Sequence, residues 1–207
     1  MIKAVIFDVD GVLLDSLEAN FKFFSDLMNK FGYGFMTKEQ YVPLFHAPMK
    51  DMIRFTTKSK NEQEIEKIWL SGKNREVPYP NEFINIPEYL AETIDNLSKN
   101  YDLGIATGRT GNVFNNPKIS NLKDYFKVVV GYEDTKNHKP NPDPLLLASS
   151  KLGIRPEECV YIGDAEIDML AAKAAGMKSI IYSENKISGA DANTSSFKEL
   201  PEIIKSI

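Results

Sequence analysis

Five short apolar runs stand out along the 207-residue chain: Lys3–Phe7, Leu103–Ala106, Lys127–Val130, Cys159–Ile162 and Lys178–Tyr182. Near-continuous runs rich in Val and Ile are the pattern of strands covered on both faces, as in a parallel sheet. Between the later runs the apolar spacing changes to that of helices. Pro87–Lys99 places Tyr89, Leu90, Ile94 and Leu97 on one side, Pro144–Leu152 follows a proline-rich entry, and Ile167–Ala175 stops at Gly176, a helix-ending residue. A last helix is expected over Phe197–Ile207. Strands alternating with helices predict a doubly wound α/β domain.

One interval breaks the rhythm. Roughly 95 residues separate the first two runs, far more than one crossover helix needs. Leu17–Phe31 is amphipathic, with Phe21, Phe24, Leu27, Met28 and Phe31 on one side. Thr37 is placed to cap a helix over Lys38–Phe45, and Lys50–Lys58 and Glu62–Gly72 read as two more. The pattern therefore predicts a core domain from residues 1–16 and 82–207 and a helical insert over 17–81, with Pro78, Pro80 and Pro87 on its return path. Trp69 and the phenylalanines of the first insert helix are at core spacing.

The net charge of −4 argues against a general nucleic-acid binder, which needs a basic face. The single cysteine, Cys159, is compatible with a reducing compartment and is expected to be inert core. No apolar run approaches the ~20 residues that span a bilayer, and the chain opens directly on a strand, so a cytoplasmic protein without membrane partners is expected. Two glycosylation-type triplets, Asn96-Leu97-Ser98 and Asn193-Thr194-Ser195, are read as chance.

In sheets of this kind ligands bind beyond the carboxyl ends of the strands. The first run ends in Asp8-Val9-Asp10-Gly11, the second in Thr107-Gly108-Arg109 and the fourth in Gly163-Asp164-Ala165-Glu166-Ile167-Asp168; a polar loop after the third leads to His138-Lys139-Pro140. Residues two apart share a face of a strand, so Asp8 and Asp10 can reach one small volume as the chain bends at Gly11. Two such charges repel unless a cation or a proton intervenes. That suits a divalent metal, a nucleophile and a general acid/base; the plain alternative is a polar strand end closed by an Asp-Gly turn. Taken alone, Lys139 reads as a solvated lysine and Asp168 as a first-turn helix acid.

Together these four segments resemble the haloacid dehalogenase-like (HAD) hydrolase superfamily, in the phosphoglycolate phosphatase and β-phosphoglucomutase branch. Asp8-Val-Asp10-Gly-Val resembles its first motif, Thr107 the second, Lys139-Pro140 the third, and Gly163-Asp164 with Asp168 the fourth, while the insert resembles the branch's helical cap. The resemblance implies that Asp8 is the nucleophile, forming an aspartyl-phosphate, and that Asp10 is the general acid/base. It implies Mg2+ held by Asp8, the backbone carbonyl of Asp10 and Asp164, with Asp168 orienting a metal-bound water or Lys139. Thr107, Gly108 and Lys139 would bind the phosphoryl oxygens. Arg109 departs from the commoner small or amide residue; it either contacts substrate or pairs with an acid. Among insert residues, His46, Lys50 and Arg54 resemble the substrate-specificity loop, though a solvated surface is the plainer reading of each. Asp15 and Ser16 fit a hinge and helix cap.

The expectation is thus a Mg2+-dependent phosphatase acting on a small phosphate monoester such as phosphoglycolate or a sugar phosphate. A dehalogenase or phosphonatase would lack the second aspartate, and a signalling receiver would lack the insert. A phosphomutase keeps both aspartates, but usually carries a histidine where this chain has Asn20. An inactive binding module would have lost a catalytic residue, and Asp8, Asp10, Thr107, Lys139, Asp164 and Asp168 are all present.

Overall fold

The computed structural model describes residues 1–110 and 112–207. Among these, β1 (Ala4–Phe7), β2 (Asp102–Ala106), β3 (Phe126–Val130), β4 (Cys159–Gly163), β5 (Lys178–Tyr182) and β6 (Ala192–Thr194) form one sheet in the order β3-β2-β1-β4-β5-β6. Every neighbouring pair is parallel. The chain divides into two compact units, Met1–Asp15 with Ile86–Ile207, and Ser16–Asn85. No helix among the described residues is long and apolar enough to cross a membrane.

The unit Ser16–Asn85 is built on α1 (Leu17–Lys30), α2 (Lys38–Tyr41), α3 (Met49–Thr57) and α4 (Glu62–Lys73). Thr37 caps α2 through a reciprocal pair: its hydroxyl accepts from the Gln40 amide, and the Gln40 side chain accepts from the Thr37 amide. Helix α2 is shorter than the pattern predicts, because Pro43 tightens the chain into a 3-10 turn over Val42–Leu44. On α1 the buried face includes Phe23 as well as Phe24, Leu27 and Met28, whereas Phe21 is half-buried against the Tyr41 ring. The buried stripe is wider than the spacing indicated. Trp69 is buried in the core of this unit, with Lys50 Nζ 4.3 Å above its ring.

The sheet unit carries α5 (Leu90–Ser98), α6 (Asp143–Leu152), α7 (Glu166–Ala175) and α8 (Leu200–Ser206). Alternation along β1 sends Ala4 and Ile6 into a buried cluster with Leu145 and Ala148 of α6 and Ala171, Ala172 and Ala175 of α7. Val5 and Phe7, pointing the other way, are equally buried, so both faces are covered. Small residues on α7 let that helix lie close to the sheet. Gly153 and Gly176, both left-handed, end α6 and α7.

The sixth strand is the element the apolar pattern missed. Ala192-Asn193-Thr194 is polar, and only its parallel pairing with β5 makes it a strand. Asn193, in the triplet read as chance, accepts from the Ile187 amide at 2.9 Å and steadies the turn before β6. The C-terminal segment also differs: Phe197–Glu199 is a 3-10 turn, and α8 starts only at Leu200, with Pro201 in its first turn.

Candidate active site

In this strand order the chain reverses direction of winding between β1 and β4, which opens a crevice at their carboxyl ends. The register aligns Phe7 with Ile162 and Ile105, so the residues after β1, β2 and β4 emerge side by side. Asp8 continues the ladder by donating its amide to the Ile162 carbonyl at 2.9 Å. The chain then folds back tightly, with the Gly11 amide on the Leu14 carbonyl and the Leu14 amide on the Val9 carbonyl. Gly11 has φ +77°, and a Cβ there would stand 1.9 Å from Asp164 Oδ2, so both the turn and the approach of Asp164 require glycine.

Lys139 is the centre of the cluster. Its Nζ lies 2.7 Å from Asp8 Oδ2, 2.6 Å from Asp168 Oδ1 and 2.9 Å from the Tyr161 hydroxyl. The three N–H bonds of the ammonium are all used. The lysine side chain is 8 % exposed and that of Asp168 1 %, so their charges interact with little solvent screening. Burial opposes the charge on Lys139, but Asp168 and Asp8 outweigh it and hold the ammonium well above its ordinary range. Asp168 also ties the start of α7 to the end of β4, its Oδ2 accepting from the Asp164 and Ala165 amides. The helix-acid reading and the Lys139-orienting reading of Asp168 thus describe one side chain. Gly163 makes room for it, because a Cβ there would lie 2.2 Å from Asp168 Cβ.

Tyr161 went unnoticed in the sequence. It lies within the buried run of β4, accepts from Lys139 and donates to the Ala106 carbonyl at 2.8 Å. The signal was a phenol hydroxyl inside an apolar strand, which must find partners.

Asp8, Asp164 and Asp168 offer carboxylate oxygens within 4.8 Å of one another. Lys139 compensates only part of this charge, since one ammonium faces three carboxylates. Burial is the main cause that pushes the Asp8 carboxyl up from 3.8 to about 6; Lys139 pulls it down and Asp168 pushes it up. Asp164 is pushed from 3.8 to about 9, again mainly by burial, then by Asp168 and Asp8. Asp8 Oδ1 is buried with no hydrogen-bond partner among the described residues. An all-oxygen set with an orphaned carboxylate oxygen fits a hard divalent cation such as Mg2+.

Asp10 lies close enough to raise the Asp8 and Asp164 carboxyls further, and it pairs with an arginine. Arg109 chelates it, Nε to Oδ2 and Nη2 to Oδ1, both at 2.7 Å. Of the two roles open to Arg109, the structure shows the pairing with an acid. Thr107 is buried, and its hydroxyl accepts from the Arg109 amide at 3.3 Å. Gly108 is exposed, with no atom within 4 Å of where a Cβ would stand. The ring of His138 stacks on Tyr132 at 4.0 Å, which orders the loop leading to Lys139.

The remaining candidates lie in the helical unit and are engaged there. Arg54 pairs with Asp51 and Glu62, each at 2.8 Å, and Lys50 pairs with Glu66. His46 is exposed, its ring edge-on to Phe45. Asn20 accepts from the Tyr79 hydroxyl at 2.6 Å and donates to Ser16 Oγ.

The strand order and the carboxylate–lysine cluster at its reversal point define a doubly wound α/β enzyme. The chain belongs to the haloacid dehalogenase-like hydrolase family, whose model matches residues 5–182. Pyrophosphatase PpaX of Bacillus velezensis is 29 % identical over 179 residues, covering 86 % of this chain and 81 % of that protein. The structure of CbbY from Rhodobacter sphaeroides in complex with phosphate superposes with a TM-score of 0.82 at 26 % identity, covering 97 % of this chain and 96 % of CbbY. β-Phosphoglucomutase from Clostridium difficile shares the fold, with a TM-score of 0.84 at 22 % identity over 100 % of this chain and 98 % of its own.

Proposed function

We propose that the protein is a Mg2+-dependent phosphatase that hydrolyses a small phosphate monoester through a phosphorylated Asp8. The observation that carries this reading is the bond from the buried Lys139 ammonium to Asp8 Oδ2, at the carboxyl edge of the sheet. A lysine so placed keeps part of the Asp8 charge compensated while the carboxylate faces an anionic substrate. The other Asp8 oxygen has no hydrogen-bond partner among the described residues.

In the first step an Asp8 oxygen would form a bond to phosphorus as the bond to the leaving oxygen breaks, and Asp10 would give that oxygen a proton. In the second, water would attack the phosphorus of the aspartyl-phosphate and pass a proton to Asp10. Inorganic phosphate would leave and Asp8 would be regenerated. Thr107 and the Gly108 amide would donate to the phosphoryl oxygens, and Asp168 and Tyr161 would keep Lys139 aimed at Asp8. Asp8, the Asp10 carbonyl and Asp164 would hold the Mg2+, which when bound supplies positive charge against the phosphoryl oxygens. The unit Ser16–Asn85 would act as the cap, with His46, Lys50 and Arg54 as candidates for substrate contact.

Release of inorganic phosphate across phosphoglycolate, pyrophosphate and several sugar phosphates tests the reading. Release dependent on both Mg2+ and Asp8 is expected. Conversion of β-glucose 1-phosphate to the 6-phosphate without release would replace it by a phosphomutase reading.

A further inference from the structure

Lys139 is held at its ammonium by three partners, but the reach of its side chain also depends on where its backbone stands. The lysine stem is flexible, and a shifted backbone lets the ammonium keep one partner while it leaves another. Residues 131–142, which carry Lys139 from β3 to α6, contain one 3-10 turn, Tyr132–Asp134, and otherwise neither helix nor strand. A connection of that length is ordinarily mobile unless its own side chains close it.

Two rings close it here. The imidazole of His138 stacks on Tyr132 with centroids 4.0 Å apart and planes 19° from parallel. The stack joins the first turn of the connection to the residue just before Lys139. Its Tyr132 end is fixed to the neighbouring strand exit. The Tyr132 amide donates to the Arg109 carbonyl at 2.7 Å, the Arg109 amide to Thr107 Oγ1, and the Thr107 amide to the Val130 carbonyl at 3.0 Å. At the other end, the His138 carbonyl accepts from the backbone and side-chain amides of Asn141, at 2.9 and 3.0 Å, which fixes the turn beyond Lys139. Lys139 thus springs from a backbone held on both sides.

We propose that Tyr132 and His138 are positioning residues: their stack fixes the Lys139 backbone so that the ammonium spans Asp8, Asp168 and Tyr161 at once, and registers it against the strand exit that carries Thr107. This rests on the phosphatase reading, in which Lys139 and Thr107 grip one phosphoryl group. Neither ring takes part in a chemical step. The requirement is for two flat faces rather than for an imidazole as such, so another aromatic ring at position 138 serves and an alanine does not.

The test is a double-mutant cycle of Tyr132→Ala and His138→Ala in the Mg2+-loaded enzyme, with His138→Phe as the conservative variant. The cycle cancels whatever else each ring contacts and leaves what the two do together. On the enzyme's best phosphate ester each single alanine variant is expected to lower kcat about tenfold, the double variant no further than the worse single, and His138→Phe to stay within about twofold of wild type. Additive losses in the cycle, or His138→Phe as slow as His138→Ala, overturn the proposal. A second readout does not need turnover. A buried ammonium with all its N–H bonds engaged exchanges protons slowly, and 1H–15N spectra show it as a signal assigned by its loss in Lys139→Met. That signal is expected to broaden or vanish in His138→Ala, with the amide signals of β1 and β4 unmoved, and to persist in His138→Phe. An unchanged ammonium signal in His138→Ala, or its loss in His138→Phe as well, overturns the proposal. Failure of wild type on every ester would refute the phosphatase reading separately, and the ammonium signal would still decide what the stack holds.

Discussion

Raising the pH from about 5 to about 8 in a chelating buffer is expected to destabilise the protein, and the size follows from two carboxyls. In the unfolded chain Asp8 and Asp164 titrate near 3.8; in the folded protein burial, opposed by Lys139 and reinforced by Asp168, moves them to about 6 and about 9. A carboxyl raised on folding holds a proton that the unfolded chain has already released. Its contribution is most favourable at low pH and is lost as pH climbs from the unfolded value through the folded one. At ~1.4 kcal/mol per pH unit, the window from about pH 5 to about pH 8 removes ~1 kcal/mol through Asp8 and up to ~4 kcal/mol through Asp164, ~5 kcal/mol together. For a chain of this length a loss of ~5 kcal/mol lowers the melting midpoint by about 15 °C. Thermal unfolding with EDTA at the two pH values measures it. Asp164→Asn is expected to lose most of the pH dependence, and Mg2+ added at the higher pH to restore the wild-type midpoint by favouring the ionised carboxylates. A wild-type midpoint that is flat or rises with pH under EDTA, or an Asp164→Asn slope equal to that of wild type, would show that these carboxyls do not hold raised protons in the folded protein.

Two further outcomes follow from the packing around Lys139 and Asp164. Tyr161→Phe removes the hydroxyl between Lys139 and the Ala106 carbonyl; it is expected to cost ~1–2 kcal/mol in urea unfolding and to lower kcat more than it changes KM, because Lys139 loses a guide and keeps both carboxylates. Gly11→Ala is expected to destabilise the protein by more than ~2 kcal/mol and to weaken Mg2+ binding in calorimetry, since the added Cβ meets Asp164 at 1.9 Å and the backbone stays left-handed; a neutral effect on both would show that the turn relaxes freely.

The reach of the sequence depended on how each element is stabilised. Strands β1 to β5 are apolar because both faces of the sheet are buried, and the runs marked them to within one residue. Strand β6 is held by its pairing with β5 rather than by burial of its side chains, so no run announced it. The glycine stops of α6 and α7 were visible in the composition, whereas the shortening of α2 depends on Pro43 acting within a turn. At the candidate site, the residues after the strand ends were legible because the fold family fixes what those positions carry. Their partners were less so. Tyr161 looked like core, and the partner of Arg109 became visible only once β1 and β2 were side by side, bringing Asp10 across a gap of 99 residues. The insert residues Lys50 and Arg54 carried no signal of their pairing with Glu66 and Glu62, which depends on how α3 packs on α4, whereas the Arg54–Asp51 pair is a local one within α3.

In the proposed reaction Asp8 carries the phosphoryl group. The most direct test is to quench the Mg2+-loaded enzyme in acid during turnover of its best substrate and to locate the phosphoryl group by peptide mass spectrometry. A phosphorylated peptide bearing Asp8 is expected, absent from Asp8→Asn. Turnover with no phosphoryl group on that peptide under single-turnover conditions, or full turnover by Asp8→Asn, would contradict it.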